Sequence, residues 1–281
     1  MGTEHDGTTA GRRRGVRRSR LRVALVGYGA INARVSRLLI DRNADVDVVA
    51  VATRGSSVLS LPDDKTALLG SPSELSMVRA DLVMEAAGRE AVGVWGEAAL
   101  DCGASFAVSS ASAFVDEALF RRLTDLAVDR GAQLLISPGA VGGIDALAAA
   151  SRLGLDRLTH TIAKPPSAWR GTPAYPEAIQ GERAAFFSAS AREAATRFPA
   201  NANVVVVTAL ASGLGLDLAR VELVSDPALS RNRHTIEAEG MFGRLRFDIE
   251  NSPLSANPRS SELAAYALVR LVENAIGGVS I

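Results

Sequence analysis

The clearest pattern in the chain begins with an apolar run from Val23 to Val26, broken by Gly27 and Gly29. From Ala30 the spacing turns helical, with Ile31, Val35, Leu38 and Leu39 on one face. A buried strand, a glycine turn and an amphipathic helix are predicted in that order. Alternation then continues. Strands are predicted at Val46–Ala52, Ala80–Ala87, Ser105–Ser110 and Ala132–Ile136, helices at Glu90–Leu100 and Phe114–Arg130, and a loop over 58–70. Strict strand–helix alternation predicts an α/β fold with a doubly wound parallel sheet.

Beyond Gly142 and Gly143 the pattern changes. A helix over Ile144–Leu153 leads to an alternating strand, Arg157–Ala163, which ends in Lys164-Pro165-Pro166. Helices are predicted at Gly181–Arg197 and Val204–Ser212, and antiparallel strands at Val221–Val224, His234–Glu239 and Leu245–Ile249. The last helix, Ser260–Ala275, places Leu263, Tyr266, Ala267 and Leu271 at helical spacing. The predicted organisation is an Arg-rich disordered tail (1–20), a dinucleotide-binding domain of Rossmann type (21–142) and an α+β domain for substrate and dimerisation (143–257). A closing helix (258–281) is expected to pack back on the N-terminal domain.

The strand–glycine–helix unit carries the first chemistry. Gly27 permits a tight turn, Gly29 lets backbone approach a pyrophosphate, and the helix start at Ala30 and Ile31 offers N–H groups to that anion. The third glycine of the G-x-G-x-x-G pattern is Asn32. Asn is larger, so either the helix sits further out or the amide is used, for instance on the phosphate. After the second strand stand Thr53, Arg54, Gly55, Ser56 and Ser57, where an acidic residue would select NAD. Arg54 and the two hydroxyls suit a 2′-phosphate, so NADP or dual use with NAD is expected. Ala87 and Gly88, in the small-residue loop after the Ala80–Ala87 strand, are expected at the cofactor rim.

Composition narrows the class. With 281 residues, 47% apolar, 22% charged and no net charge, the chain reads as an ordinary globular protein. No apolar run approaches the ~18–20 residues that span a bilayer, so no membrane partner is expected. The first 22 residues hold seven arginines against Glu4 and Asp6, which leaves the remainder acidic and argues against nucleic acid. Arginine pairs before an apolar run resemble an export signal, but that run contains the glycine turn, so the tail reads as a solvated extension. One cysteine excludes an internal disulfide and a multi-cysteine metal site, and fits a cytoplasmic setting. Cys102, at a helix end, reads as a small packed residue. No metal site is expected.

Of three histidines, His5 lies in the tail and His160 mid-strand, where packing is the simpler reading. His234 begins a strand just after a polar loop, a position from which a general acid–base can reach substrate. Against 29 arginines the chain keeps only Lys65 and Lys164 as lysines, which marks Lys164 as a candidate for a substrate carboxylate. Asn201 and Asn203 flank a helix start, where capping accounts for at least one of them.

Six stretches in order resemble the L-aspartate dehydrogenase family. They are Val-Gly-Tyr-Gly-Ala-Ile, Ser-Pro-Gly-Ala-Val-Gly-Gly-Ile-Asp-Ala-Leu, Lys-Pro-Pro-Ser-Ala-Trp-Arg-Gly-Thr-Pro-Ala, Phe-Pro-Ala-Asn-Ala-Asn-Val, Asp-Pro-Ala-Leu-Ser-Arg-Asn-Arg-His and Asn-Pro-Arg-Ser-Ser-Glu-Leu. The resemblance implies NAD(P)-dependent oxidation of L-aspartate to iminosuccinate, then oxaloacetate and ammonia, or the reverse amination, by a homodimer. It places the active-site histidine on His234 and two cofactor contacts on Ala140 and Asn203. Lys164 and the backbone around Gly171 and Thr172 are the expected carboxylate partners. Pro138 departs from the family's usual Ser. The alternatives are a related dehydrogenase or imine reductase acting on another amino or imino acid, and a non-catalytic NAD(P)-binding sensor.

Overall fold

The computed structural model describes residues 20–53, 61–173 and 181–277. Residues 1–19 of the tail, Arg54, Ser56 and Ser57 lie outside them. Strands β1 (Leu21–Val26), β2 (Val46–Ala52), β3 (Ala67–Leu69), β4 (Leu82–Glu85), β5 (Ser105–Val108) and β6 (Leu134–Ile136) form a parallel sheet in the order β3-β2-β1-β4-β5-β6. This is the doubly wound dinucleotide order, with its reversal between β1 and β4. Helices α1 (Ala30–Asp41), α2 (Arg89–Asp101) and α3 (Glu117–Asp129) cover it. β1 and β4 are almost wholly buried, as a strand covered on both faces must be.

The second sheet runs β11-β10-β7-β9-β8, from β7 (Leu155–Lys164), β8 (Ala184–Ser190), β9 (Arg220–Ser225), β10 (Asn232–Gly240) and β11 (Gly243–Asn251). It is mixed rather than antiparallel, because β7 and β9 pair in parallel. Between them the chain crosses back through α5 (Ala191–Arg197) and α6 (Ala202–Ser212), as parallel neighbours require; α4 (Ile144–Ala150) precedes β7. The closing helix, α7 (Glu262–Ile276), lies against α1. Its Ala265, Leu268, Val269 and Val272 join Val23, Leu25, Val35 and Leu39 in one apolar cluster, and Glu262 meets Arg34 at 2.6 Å.

Local signals account for the remaining departures from expectation. Residues 184–190 form a strand where a helix was predicted through 181–197; the helix starts only at the capping box of Ser190 and Glu193. β3 lies inside the predicted loop, too short to show a period. The helix predicted from Phe114 begins instead after Asp116, whose carboxylate accepts from the N–H groups of Ala118 and Leu119 at 3.0 and 3.1 Å. Cys102 is exposed at the end of α2, not packed.

Gly27 has φ +79°, and a Cβ there would lie 2.6 Å from Cα and Cβ of Ala87. Nothing lies within 4 Å of a Cβ built on Gly29. Gly27→Ala is therefore expected to cost about 2 kcal/mol of stability or more. Gly29→Ala should stay within about 0.5 kcal/mol. The urea midpoints of the two variants check this contrast.

Candidate active site

The carboxyl ends of β1, β2 and β4 open onto a cleft of about 490 Å³, lined among others by Gly27, Tyr28, Gly29, Thr53 and Ala87. α1 starts at this cleft with no side-chain cap and no acidic residue in its first turn. Its first N–H groups, with the space beside Gly29, suit the pyrophosphate of a dinucleotide. Asn32 is fully buried and does not face that space. Its Nδ2 donates to the carbonyls of Gly27 (2.7 Å), Val26 (3.1 Å) and Met84 (3.4 Å), so the amide is used to tie the turn to β4.

A second brace went unrecognised in the sequence. Glu85, fully buried at the end of β4, accepts from Ala87 N (2.7 Å), Gly88 N (2.8 Å), Ser110 N (3.0 Å) and Ser110 Oγ (2.8 Å). Burial pushes its carboxyl above the usual range, and the four donors act against that rise. The N–H groups of Ala87 and Gly88 thus serve Glu85; Ala87 lines the cleft, and Gly88 stands just outside its wall. A glutamate ending an otherwise apolar strand was the available signal.

A second cavity, of about 300 Å³, lies where the loop after β6 meets the second sheet. Ala140, Lys164, Asn201, Arg231, His234 and Asn251 help to line it. Asn251 joins its walls: Nδ2 donates to the Ala140 carbonyl at 2.8 Å, and Oδ1 accepts from Ser261 Oγ at 2.9 Å. Ser261 also caps α7 through Leu263 N. A larger hollow of about 750 Å³ lies at the amino ends of β1 and β2, but its arginines bind backbone there, Arg20 the Val46 carbonyl and Arg22 those of Val78 and Arg79.

Lys164 donates to Asn201 Oδ1 at 2.6 Å and sits 5.1 Å from the centre of the Trp169 ring. Burial lowers its pKa to about 8. Asn201 is therefore a partner of Lys164, and Asn203 Oδ1 accepts from Ser112 N at 3.0 Å, joining α6 to the turn after β5. Neither asparagine caps α6 through its side chain. Asn203 is exposed and outside the walls of both cavities, whereas Ala140 lines the second. Thr172 is likewise outside that wall; its Oγ1 donates to the Trp169 carbonyl at 2.7 Å, closing a turn.

His234 and His160 lie on neighbouring strands, the latter opposite Ile236, so their rings meet diagonally on one face of the sheet. His160 Nε2 and His234 Nδ1 are 3.1 Å apart. Burial lowers His160 to about 3. Burial, then the nearby His160 and Lys164, holds His234 well below the usual histidine range, so both rings are neutral at pH 7. No cluster of metal-ligating side chains occurs among the described residues. The sequence reading missed His160 as a site residue, and it missed Arg231, three positions before His234.

Comparison with known proteins supplies the family. A family model described as "Aspartate dehydrogenase, C-terminal" matches residues 145–275, and one described as "Homoserine dehydrogenase, NAD binding domain" matches residues 27–137. The chain is 52% identical over 259 residues to the L-aspartate dehydrogenase of Brucella anthropi, covering 90% of this chain and 96% of that one. It is 38% identical over 269 residues to that of Pseudomonas aeruginosa, covering 93% and 100%. The solved aspartate dehydrogenase of Thermotoga maritima shares the fold, with a TM-score of 0.75 at 23% identity and coverage of 93% and 99%. On the parallel sheet, the mixed sheet and these full-length relatives, the chain belongs to the L-aspartate dehydrogenase family.

Proposed function

We propose that this protein catalyses NAD(P)-dependent oxidative deamination of L-aspartate, or the reverse amination of oxaloacetate. The observation that carries the reading is the second cavity, where a half-buried lysine, an arginine and a neutral histidine line one wall system, in a chain that also holds a cleft of dinucleotide type. Bound in the cleft at Gly27, Gly29 and the start of α1, a nicotinamide cofactor supplies the hydride acceptor or donor. Ala140 and Asn203 are assigned to its nicotinamide end on the family resemblance.

The substrate brings two carboxylates. Lys164 and Arg231 are assigned one each, because a dianion in a small, partly dehydrated cavity needs cationic partners. His234 is assigned to the reacting centre. Its Nδ1 is engaged by His160, so Nε2 is the ring atom available to the substrate carbonyl oxygen or imine nitrogen. Asn201 holds the Lys164 ammonium in place. NADP preference or dual use is proposed from Arg54, Ser56 and Ser57 in place of an acidic residue. A cytoplasmic homodimer is proposed from the resemblance and the single cysteine; among the described residues no helix is long and apolar enough to cross a membrane.

Three outcomes are expected. His234→Ala should lower kcat/KM for oxaloacetate by roughly a hundredfold or more while NADPH affinity changes little. Retention of most of kcat/KM would remove the assignment. Steady-state rates with NADPH and NADH, at saturating oxaloacetate and ammonium, should favour NADPH or use both, and Arg54→Ala should shift the ratio towards NADH by about tenfold. Inhibition by succinate tests Lys164. Its ammonium is present below about pH 8 and lost above it, so succinate should bind more weakly as pH rises through that value. Lys164→Gln should raise the inhibition constant by roughly tenfold at pH 7 and abolish the step.

A further inference from the structure

His160 Nδ1 is buried and has no hydrogen-bond partner, while its Nε2 contacts His234 Nδ1 at 3.1 Å. One proton lies between the two rings, and the orphaned nitrogen decides which ring owns it. If His234 Nδ1 carried the proton, neutral His160 would hold its own on Nδ1, as a buried donor with nothing to receive it. If His160 carries the proton on Nε2, its buried Nδ1 is a bare lone pair, which is the cheaper group to leave unpaired. A doubly protonated His160 would be a buried charge without a counter-ion.

We propose that His160 is a positioning residue whose Nε2–H donates to His234 Nδ1, fixing His234 as the neutral Nε2–H tautomer and so as a hydrogen-bond donor to the substrate. The inference rests on the assignment of His234 to the reaction. The hydrogen bond at one imidazole nitrogen sets the state of the other. The same contact opposes an imidazolium at His234, since that would again force the His160 proton onto Nδ1. Both the oxo acid and the imine offer a lone pair to a neutral N–H, so this tautomer suits the amination direction. The charged side chains lining the cavity with His234 are Lys164 and Arg231; its partners across the strands are Ile162 and Ile249, and β11 adds the uncharged Asn251.

Long-range ¹H–¹⁵N spectra of the ¹⁵N-histidine-labelled full chain at pH 7 test this directly. The chain has three histidines, and His5→Gln and His234→Ala assign the signals. The expected result is a His234 ring protonated on Nε2 and bare on Nδ1. In kinetics, His160→Leu is expected to lose roughly tenfold in kcat at near-constant KM and to move the acidic limb of its pH profile upward, because one of the influences that hold His234 neutral is gone while burial and Lys164 remain. His160→Gln, whose amide can still donate, should stay within about threefold of the parent. A parent His234 protonated on Nδ1 or on both nitrogens overturns the proposal. So does a His160→Leu enzyme with parental kcat and an unchanged profile. Should that variant fail to fold, the parent spectrum decides alone. The spectrum reads the tautomer whether or not His234 takes part in turnover, so its failure is distinct from that of the functional assignment.

Discussion

The carboxyl ends of β1, β4 and β5 converge on backbone groups that strand pairing alone cannot satisfy, and two buried side chains complete the joint. Asn32 donates to three carbonyls across the β1 turn and β4, and Glu85 gathers four donors from the loops after β4 and β5. Burying such groups unpaired is costly, so the polar braces and the loop shapes depend on each other. The turn also presses so close to Ala87 that only glycine fits at position 27. With the rim held this way, the start of α1 stays uncapped and turned to the cleft.

The second cavity depends on a comparable relay. The Asn251 amide bonds the Ala140 carbonyl from the first sheet's last loop and the Ser261 hydroxyl that caps α7. Thus the mixed sheet, the parallel sheet and the closing helix share one polar node beside His234. α7 then runs back over α1, where apolar packing and the Arg34–Glu262 and Arg42–Glu273 pairs fasten it. The apolar burial supplies most of this attachment, because ion pairs on a partly exposed helix contribute little. The wall of the second cavity and α1 are in this way joined through one terminal element.

Within the cavity, low polarisability makes each titratable group depend on its neighbours. Lys164 keeps its charge near neutral pH with Asn201 and the Trp169 face beside it, and its positive field adds to burial in keeping His234 neutral. A dicarboxylate entering this site would meet a lysine already held in position. Little reorganisation is then needed when it binds.

Local pattern was enough for the parallel alternation, the glycine turn and the family, and it singled out His234 and Lys164 as candidates. These are signals carried by local period, by residue chemistry at one position, or by short motifs in order. It did not determine which strands would be neighbours. The parallel pairing of β7 with β9, the His160–His234 contact, the Lys164–Asn201 bond and the inward turn of Asn32 join residues far apart in the chain or depend on where a side chain points. For the same reason the bonds of Thr172 and the two asparagines were not legible: Thr172 Oγ1 closes a turn, Asn201 holds Lys164, and Asn203 accepts from the turn after β5. Periodicity records which face of an element is buried; only the assembled sheets decide what that face meets, because hydrogen-bond partners are chosen by proximity in space.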